Sequence, residues 1–138
     1  MSRSFVIDAS VGFAWVHPHQ ATTETDKLLD SLGRGTLVIV PSLWSLEVAN
    51  ALLVAVRRKK MTAQERTSAL EYLRCLNITI DSEGSALAFS TLSALAETYD
   101  LSIYDACYLE LALRRRVPLG SRDAPLCAAA KQCGIRLV

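Results

Sequence analysis

Short β-branched or apolar runs recur along this chain, separated by stretches with helical periodicity. That alternation restricts the fold more than any other feature. The runs are SFVID (4–8), TLVIV (36–40), NITI (77–80), VPLGS (117–121) and IRLV (135–138). Between them the spacing predicts helices over roughly 10–16, 22–33, 42–58, 62–75, 83–98, 102–116 and 124–133. Strands that alternate with helices are joined by crossovers, and crossovers give a mainly parallel sheet. The expectation is an α/β fold. The chain has 138 residues, with no internal repeat, low-complexity segment or linker, and reads as one domain over 1–138.

Composition narrows the class. At 51% hydrophobic and 21% charged, the chain is an ordered globular protein rather than a disordered one. A net charge of +1 does not announce a nucleic-acid binder, yet local patches matter more than the total. Two basic runs stand out, Arg57-Arg58-Lys59-Lys60 and Arg114-Arg115-Arg116. For at least one, the plain reading is a solvated helix end, where cations favour the negative pole of the dipole. Cys75, Cys107, Cys127 and Cys133 show no CxxC spacing. The last three sit in apolar helical contexts and read as small buried hydrophobes. The N-terminus enters a strand-like run at once, without a signal-peptide core, and no segment is long and apolar enough to span a membrane. A soluble, cytoplasmic protein is the expectation.

Four carboxylates stand where a charge is costly: Asp8 ending SFVID, Glu47 in SLWSLEVANALL, Asp105 in LSIYDACYLELAL and Asp123 in LGSRDAPL. A charge among apolar neighbours must be paired, protonated or bound to a cation. Parallel α/β sheets gather ligand sites at the carboxyl ends of their strands. Asp8 ends a strand, Asp123 follows one by two residues, and Glu47 sits early in the helix that begins beyond TLVIV-Pro41. At about 3.6 residues per turn, Leu43, Glu47, Asn50 and Val54 share one stripe, with Asn50 placed to support Glu47. Asp105 falls in the first turn of its helix if Ser102 is the N-cap. The four can converge on one edge, where like charges repel and raise one another's pKa.

Capping offers a second reading for three of them. Asp8 can cap the helix beginning near Ser10, Ser102 and Asp105 have capping-box spacing, and Asp123 can cap the helix ahead of Pro125. Glu47, inside a helix, has no such role. The helices carrying Glu47 and Asp105 are apolar nearly all round, so each is expected to be covered on more than one side, by the sheet and by a neighbouring helix or second chain.

A site of oxygen ligands alone suits magnesium, with manganese as a substitute. Such a cluster can orient a water and neutralise charge on a phosphodiester, and needs no histidine base. His17 and His19, in a polar HPHQ segment, read as a surface loop. Ser10 and Ser121 lie two residues from Asp8 and Asp123, where their hydroxyls can hold a carboxylate or a metal-bound water.

The blocks VIDASVGFAW, PSLWSLEVANAL, LSIYDACYLELA and GSRDAPLCAAAKQCGIRLV resemble, in order and spacing, those of PIN-domain ribonucleases. The resemblance spans essentially the whole chain and is nearest to the VapC toxins of VapBC toxin–antitoxin pairs. It implies a three-layer α/β/α fold and a magnesium-dependent endoribonuclease. By position, Asp8, Glu47 and Asp105 match the family's three most regular acids and Asp123 its more variable fourth, while Ser121 stands where many members have threonine. Some members carry a further acid just past the fourth; Pro125 and Leu126 occupy that region here. The resemblance also implies an RNA substrate, a homodimer and a cognate antitoxin whose tail enters the acidic groove. Two other readings stay open. One is a phosphohydrolase with an aspartyl nucleophile at Asp8, although Ser10 stands where such enzymes usually place a second acid. The other is a catalytically silent RNA-binding or antitoxin-binding module.

Overall fold

The computed structural model describes residues 3–138. Four strands form one parallel sheet: β1 (Ser4–Ile7), β2 (Leu37–Pro41), β3 (Ile78–Asp81) and β4 (Leu119–Gly120), in the order β3-β2-β1-β4. Val6 pairs with Ile39 on one side and with Leu119 on the other. The helices are α1 (Ala9–Val16), α2 (Thr23–Leu32), α3 (Leu43–Arg57), α4 (Ala63–Cys75), α5 (Ser93–Tyr99), α6 (Ile103–Arg115) and α7 (Ala124–Gln132).

Strand order fixes where the helices lie. From β1 to β2 to β3 the chain steps outward in one direction; from β3 to β4 it returns across the sheet. Crossovers keep one hand, so reversing the direction puts the later helices on the opposite face. Accordingly α1, α3 and α4 pack on one another, while α6 lies across β1, β2 and β4 with α5 and α7 against it. The result is a three-layer α/β/α fold, and the order reverses between β1 and β4. An open crevice forms at such a switch point, beyond the carboxyl ends of the strands.

The core is built from β1 and β2 (Val6, Ile7, Val38, Val40), α3 (Val48, Leu52) and α6 (Tyr108, Leu109, Leu111). Every residue of α6 from Ala106 to Ala112 is buried, which meets the expectation that this helix is covered all round. In α3 the buried stripe is Trp44, Val48, Leu52 and Ala55. Glu47 therefore flanks the core stripe instead of lying on it, and Asn50 is exposed.

Three further expectations need correction. The predicted helix over 83–98 is broken into a 3-10 turn (Gly84–Leu87), a π turn (Ala88–Leu92) and α5. Ser93 Oγ donates to the carbonyl of Ala88 and Ser90 Oγ to that of Leu87, so hydroxyls compete for the carbonyls of a regular helix. The run at 135–138 contributes only a bridge between Leu119 and Leu137. His17 is buried, its ring 5.0 Å from that of Phe13 one turn earlier, while His19 stays exposed. Of the cysteines, Cys107 is buried, Cys127 and Cys133 are half-buried and Cys75 is exposed.

Candidate active site

Asp8, Glu47, Asp105 and Asp123 line one cleft of about 190 Å³, together with Ala9, Ser10 and Tyr108. Each acid arrives on a different segment: Asp8 on the turn from β1 to α1, Glu47 in the second turn of α3, Asp105 in the first turn of α6, and Asp123 on the turn from β4 to α7. The capping roles exist as well. Asp8 accepts from the Val11 amide and Asp123 from the Leu126 amide, while Ser102 Oγ accepts from the Asp105 amide. In Asp8 and Asp123 capping and clustering are thus combined in one side chain, whereas at α6 the cap is the Ser102 hydroxyl and not the Asp105 carboxylate.

Asp8 is buried, and hydroxyls hold both of its oxygens. Ser10 Oγ donates to Oδ1 at 2.6 Å and Ser121 Oγ donates to Oδ2 at 2.5 Å. Each hydroxyl in turn accepts a backbone N–H, Ser10 from Arg122 and Ser121 from Asp123, both at 2.9 Å. The turn after β4 therefore fixes the carboxylate at the end of β1 through two short relays. From below, the indole N–H of Trp44 donates to the Asp8 carbonyl at 3.1 Å. Glu47 Oε1 accepts from the Tyr108 hydroxyl at 2.6 Å. Asn50 makes no side-chain hydrogen bond among the described residues. Tyr108 was not among the residues singled out from sequence, since nothing local in LSIYDACYLELAL marks one tyrosine as a partner of Glu47.

The electrostatics follow from burial and crowding. Burial pushes the Asp8 carboxyl above its usual range, against the opposing hydrogen bonds of Ser10 and Ser121. Burial also raises Glu47, and the Asp8 charge adds to the rise. Asp105 is pushed up to about 6, by burial first and then by Asp123, Glu47 and Asp8. No lysine or arginine forms an ion pair with these four carboxylates among the described residues. The donor set, all carboxylate and hydroxyl oxygen, fits a hard divalent cation, which would relieve that mutual repulsion. Among the described residues no three acids already stand close enough together to clasp one ion. Part of the coordination would therefore fall to water, as magnesium favours.

Elsewhere the buried carboxylates Asp81 and Glu110 are paired with arginines. Asp81 at the end of β3 takes bonds at 2.9 Å from both Arg114 and Arg115, and Arg114 also bonds Glu110 and Glu83. Arg114 and Arg115 thus tie α6 to the edge strand while staying partly in solvent, and residues 57–60 at the end of α3 are exposed.

Fold and cleft together define the class: a parallel α/β/α domain with acids gathered at its switch point. The model of the PIN domain family matches residues 5–138, and the chain belongs to that family. Solved structures with the same fold include PAE2754 from Pyrobaculum aerophilum, at 20% identity and a TM-score of 0.63, covering 94% of this chain and 87% of that one. VapBC2 from Rickettsia felis, solved bound to a DNA fragment from its promoter, matches at 14% identity and a TM-score of 0.65 over 98% and 97% of the two chains. FitAcB from Neisseria gonorrhoeae matches at 16% identity and a TM-score of 0.65 over 96% and 95%. The comparison with curated proteins gave no match.

Proposed function

We propose that this chain is a magnesium-dependent endoribonuclease that cleaves RNA phosphodiester bonds, and that it is the cytoplasmic toxin of a type II toxin–antitoxin pair. The observation that carries the reading is the single cleft formed by Asp8, Glu47, Asp105 and Asp123 at the switch point of the sheet. Membership of the PIN family and the fold shared with VapBC2 support it.

Asp8, Glu47, Asp105 and Asp123 would hold Mg²⁺, or Mn²⁺ in its place, with Ser10 and Ser121 keeping Asp8 in a fixed orientation and Tyr108 keeping Glu47. When bound, such an ion lowers the pKa of a water and neutralises charge on the phosphodiester. The acids need to keep their carboxylates turned into the cleft, which is what the hydroxyls accomplish. Single-stranded RNA is the favoured substrate, because its backbone is free to enter a narrow cleft.

Partners follow from the surface beside the cleft. Leu46 (74% exposed), Phe89 (102%) and Tyr104 (63%) stand out from the surface with Ile103, and an apolar groove of about 320 Å³ runs between α3 and α6 past Leu46, Ile103 and Tyr104. Exposure of that much apolar surface supports a protein partner, in this reading a second copy of the chain or the cognate antitoxin. Sedimentation of the purified chain, alone and with the antitoxin, tests it.

Cleavage of single-stranded RNA is expected with Mg²⁺ or Mn²⁺ and not with a chelator. Asp8→Asn and Asp105→Asn are each expected to reduce it on the order of 10³-fold, since each removes an ion ligand. Undiminished cleavage by both variants overturns the reading. The separation among the acids favours a second one, a silent RNA- or antitoxin-binding module. RNA binding with no cleavage in any divalent ion would establish that module instead.

A further inference from the structure

We propose that Arg122 binds a phosphate of the substrate, next to the bond that is cut; this rests on the ribonuclease reading above. The placement is set by the same relay that fixes Asp8. Arg122 lies between Ser121 and Asp123, and its amide donates to Ser10 Oγ, which donates to Asp8 Oδ1. Four carboxylates surround this turn, yet the Arg122 guanidinium makes no ion pair with any of them among the described residues. Instead Nη1 donates to the backbone carbonyl of Gln20 at 2.9 Å and to its side-chain oxygen at 3.3 Å. Nε and Nη2 donate to no protein group among the described residues, and the side chain is exposed. A guanidinium fixed at one nitrogen, with two others free of protein partners, on a residue whose neighbour Asp123 and amide partner Ser10 both line the acidic cleft, is prepared for a phosphate.

The other cation-rich segments lie elsewhere. The run 57–60 begins ten residues beyond Glu47 along α3, about 15 Å at a rise of about 1.5 Å per residue. Arg114 and Arg115 are committed to Asp81, Glu83 and Glu110. A polyanion approaching four carboxylates needs a positive group nearby, and Arg122, next in sequence to Asp123 and bonded through its amide to Ser10, is the cation that the site's own turn carries.

A purely structural role, as a clip between the loop after α1 and the turn after β4, makes a different prediction. The test measures kcat and KM for a fluorogenic single-stranded RNA with Mg²⁺, over a series of sodium chloride concentrations. It compares the full-length wild type with Arg122→Ala, Arg122→Gln, Arg122→Lys and Gln20→Ala. A phosphate contact predicts that Arg122→Ala raises KM about tenfold with kcat changed little. It also predicts a dependence of log KM on log salt shallower by about 0.7, as for one lost contact to a single strand. Arg122→Lys restores the slope, Arg122→Gln does not, and Gln20→Ala leaves it at the wild-type value. Thermal unfolding checks each variant; should the alanine variant fail to fold, the glutamine and lysine pair carries the comparison. Wild-type KM and salt slope in Arg122→Ala and Arg122→Gln overturn the proposal and leave the ribonuclease reading standing. Equal losses in Arg122→Ala and Gln20→Ala with an unchanged slope also overturn it, in favour of the clip. Absence of cleavage by the wild type in any divalent ion overturns the ribonuclease reading, and this proposal with it.

Discussion

The hydroxyl of Tyr108 donates a 2.6 Å hydrogen bond to Oε1 of Glu47, joining α6 to α3 across 61 positions of sequence. The tyrosine is 1% exposed and its ring belongs to the core, so the hydroxyl cannot swing away. Tyr108→Phe keeps the ring and removes only the bond. The expected stability change is within about 1 kcal/mol, because Glu47 is half-buried and water can replace the donor. Cleavage is expected to fall about tenfold, with a higher Mg²⁺ concentration needed for half-maximal rate. A magnesium titration of wild type and variant checks this, and identical curves count against a role for Tyr108 at the site.

Without a divalent ion, stability is expected to depend on pH in two windows of opposite sign. The Asp105 carboxyl sits at about 6 in the folded chain against an ordinary value of 3.8, so folding takes up a proton between those values. Stability then declines as pH rises from about 4 to about 6, on the order of 1 kcal/mol at this half-exposed position. Asp8 and Glu47, also raised, add to the same trend. Asp81 is held well below the usual range, first by its hydrogen bonds from Arg114, and its contribution is lost as pH falls below about 4. Denaturation in chelator should therefore show greatest stability near pH 4 to 5. Asp105→Asn should flatten the decline above that range, as should saturating Mg²⁺. A wild-type curve that is flat between pH 4 and 6 contradicts the crowding described for the cleft.

Gly12 lies in α1 with its α-carbon facing the Trp44 indole. A methyl group there would stand 2.5 Å from Cζ2 of Trp44 and 3.1 Å from a Val48 methyl. Trp44 is buried and its N–H supports the Asp8 carbonyl, so it has little room to retreat. Gly12→Ala improves helix propensity by about 1 kcal/mol, yet the overlap is expected to outweigh that by about 1–2 kcal/mol. Urea unfolding measures the net sign, and cleavage should weaken along with stability because the displaced indole bears on Asp8.

Asp81 has a side chain only 4% exposed and is shared by two arginines. Asp81→Asn leaves Arg114 and Arg115 with a weaker acceptor and is expected to cost about 2–3 kcal/mol. The double variant Arg114→Met, Asp81→Leu should not recover that loss, since it leaves the buried Glu110 without its arginine partner. Urea midpoints for the single and double variants decide it. The network shares no residue with the lining of the cleft, so the activity of molecules that remain folded should change little.

The layered fold was legible because strand and helix periodicities alternate cleanly from SFVID to VPLGS. The break after Gly84 was not, because Ser90 and Ser93 act on backbone carbonyls that a periodicity argument treats as already satisfied. The four acids could be found one at a time as charges in apolar segments, and the strand ends told where they would gather. Their supports were less visible. Ser10 and Ser121 could be found because they stand two residues from an acid, whereas Tyr108 meets Glu47 only through the packing of α6 against the sheet. Asp81 ends a strand just as Asp8 does, and only the pairing with Arg114 separates a structural acid from one in the cleft. The i, i+4 spacing of Glu110 and Arg114 was a readable hint that the arginine run is drawn inward.

The relays that orient Asp8 join the beginning of the described chain to a turn 113 residues later. During synthesis, Asp8, Ser10 and Glu47 leave the ribosome long before Ser121 and Asp123 do. Until β4 pairs with β1, the Asp8 carboxylate lacks one of its two hydroxyl supports and the cleft lacks a wall. On the ribonuclease reading proposed above, a nascent chain of this kind is inert toward RNA until β4 docks on β1 and completes the cleft.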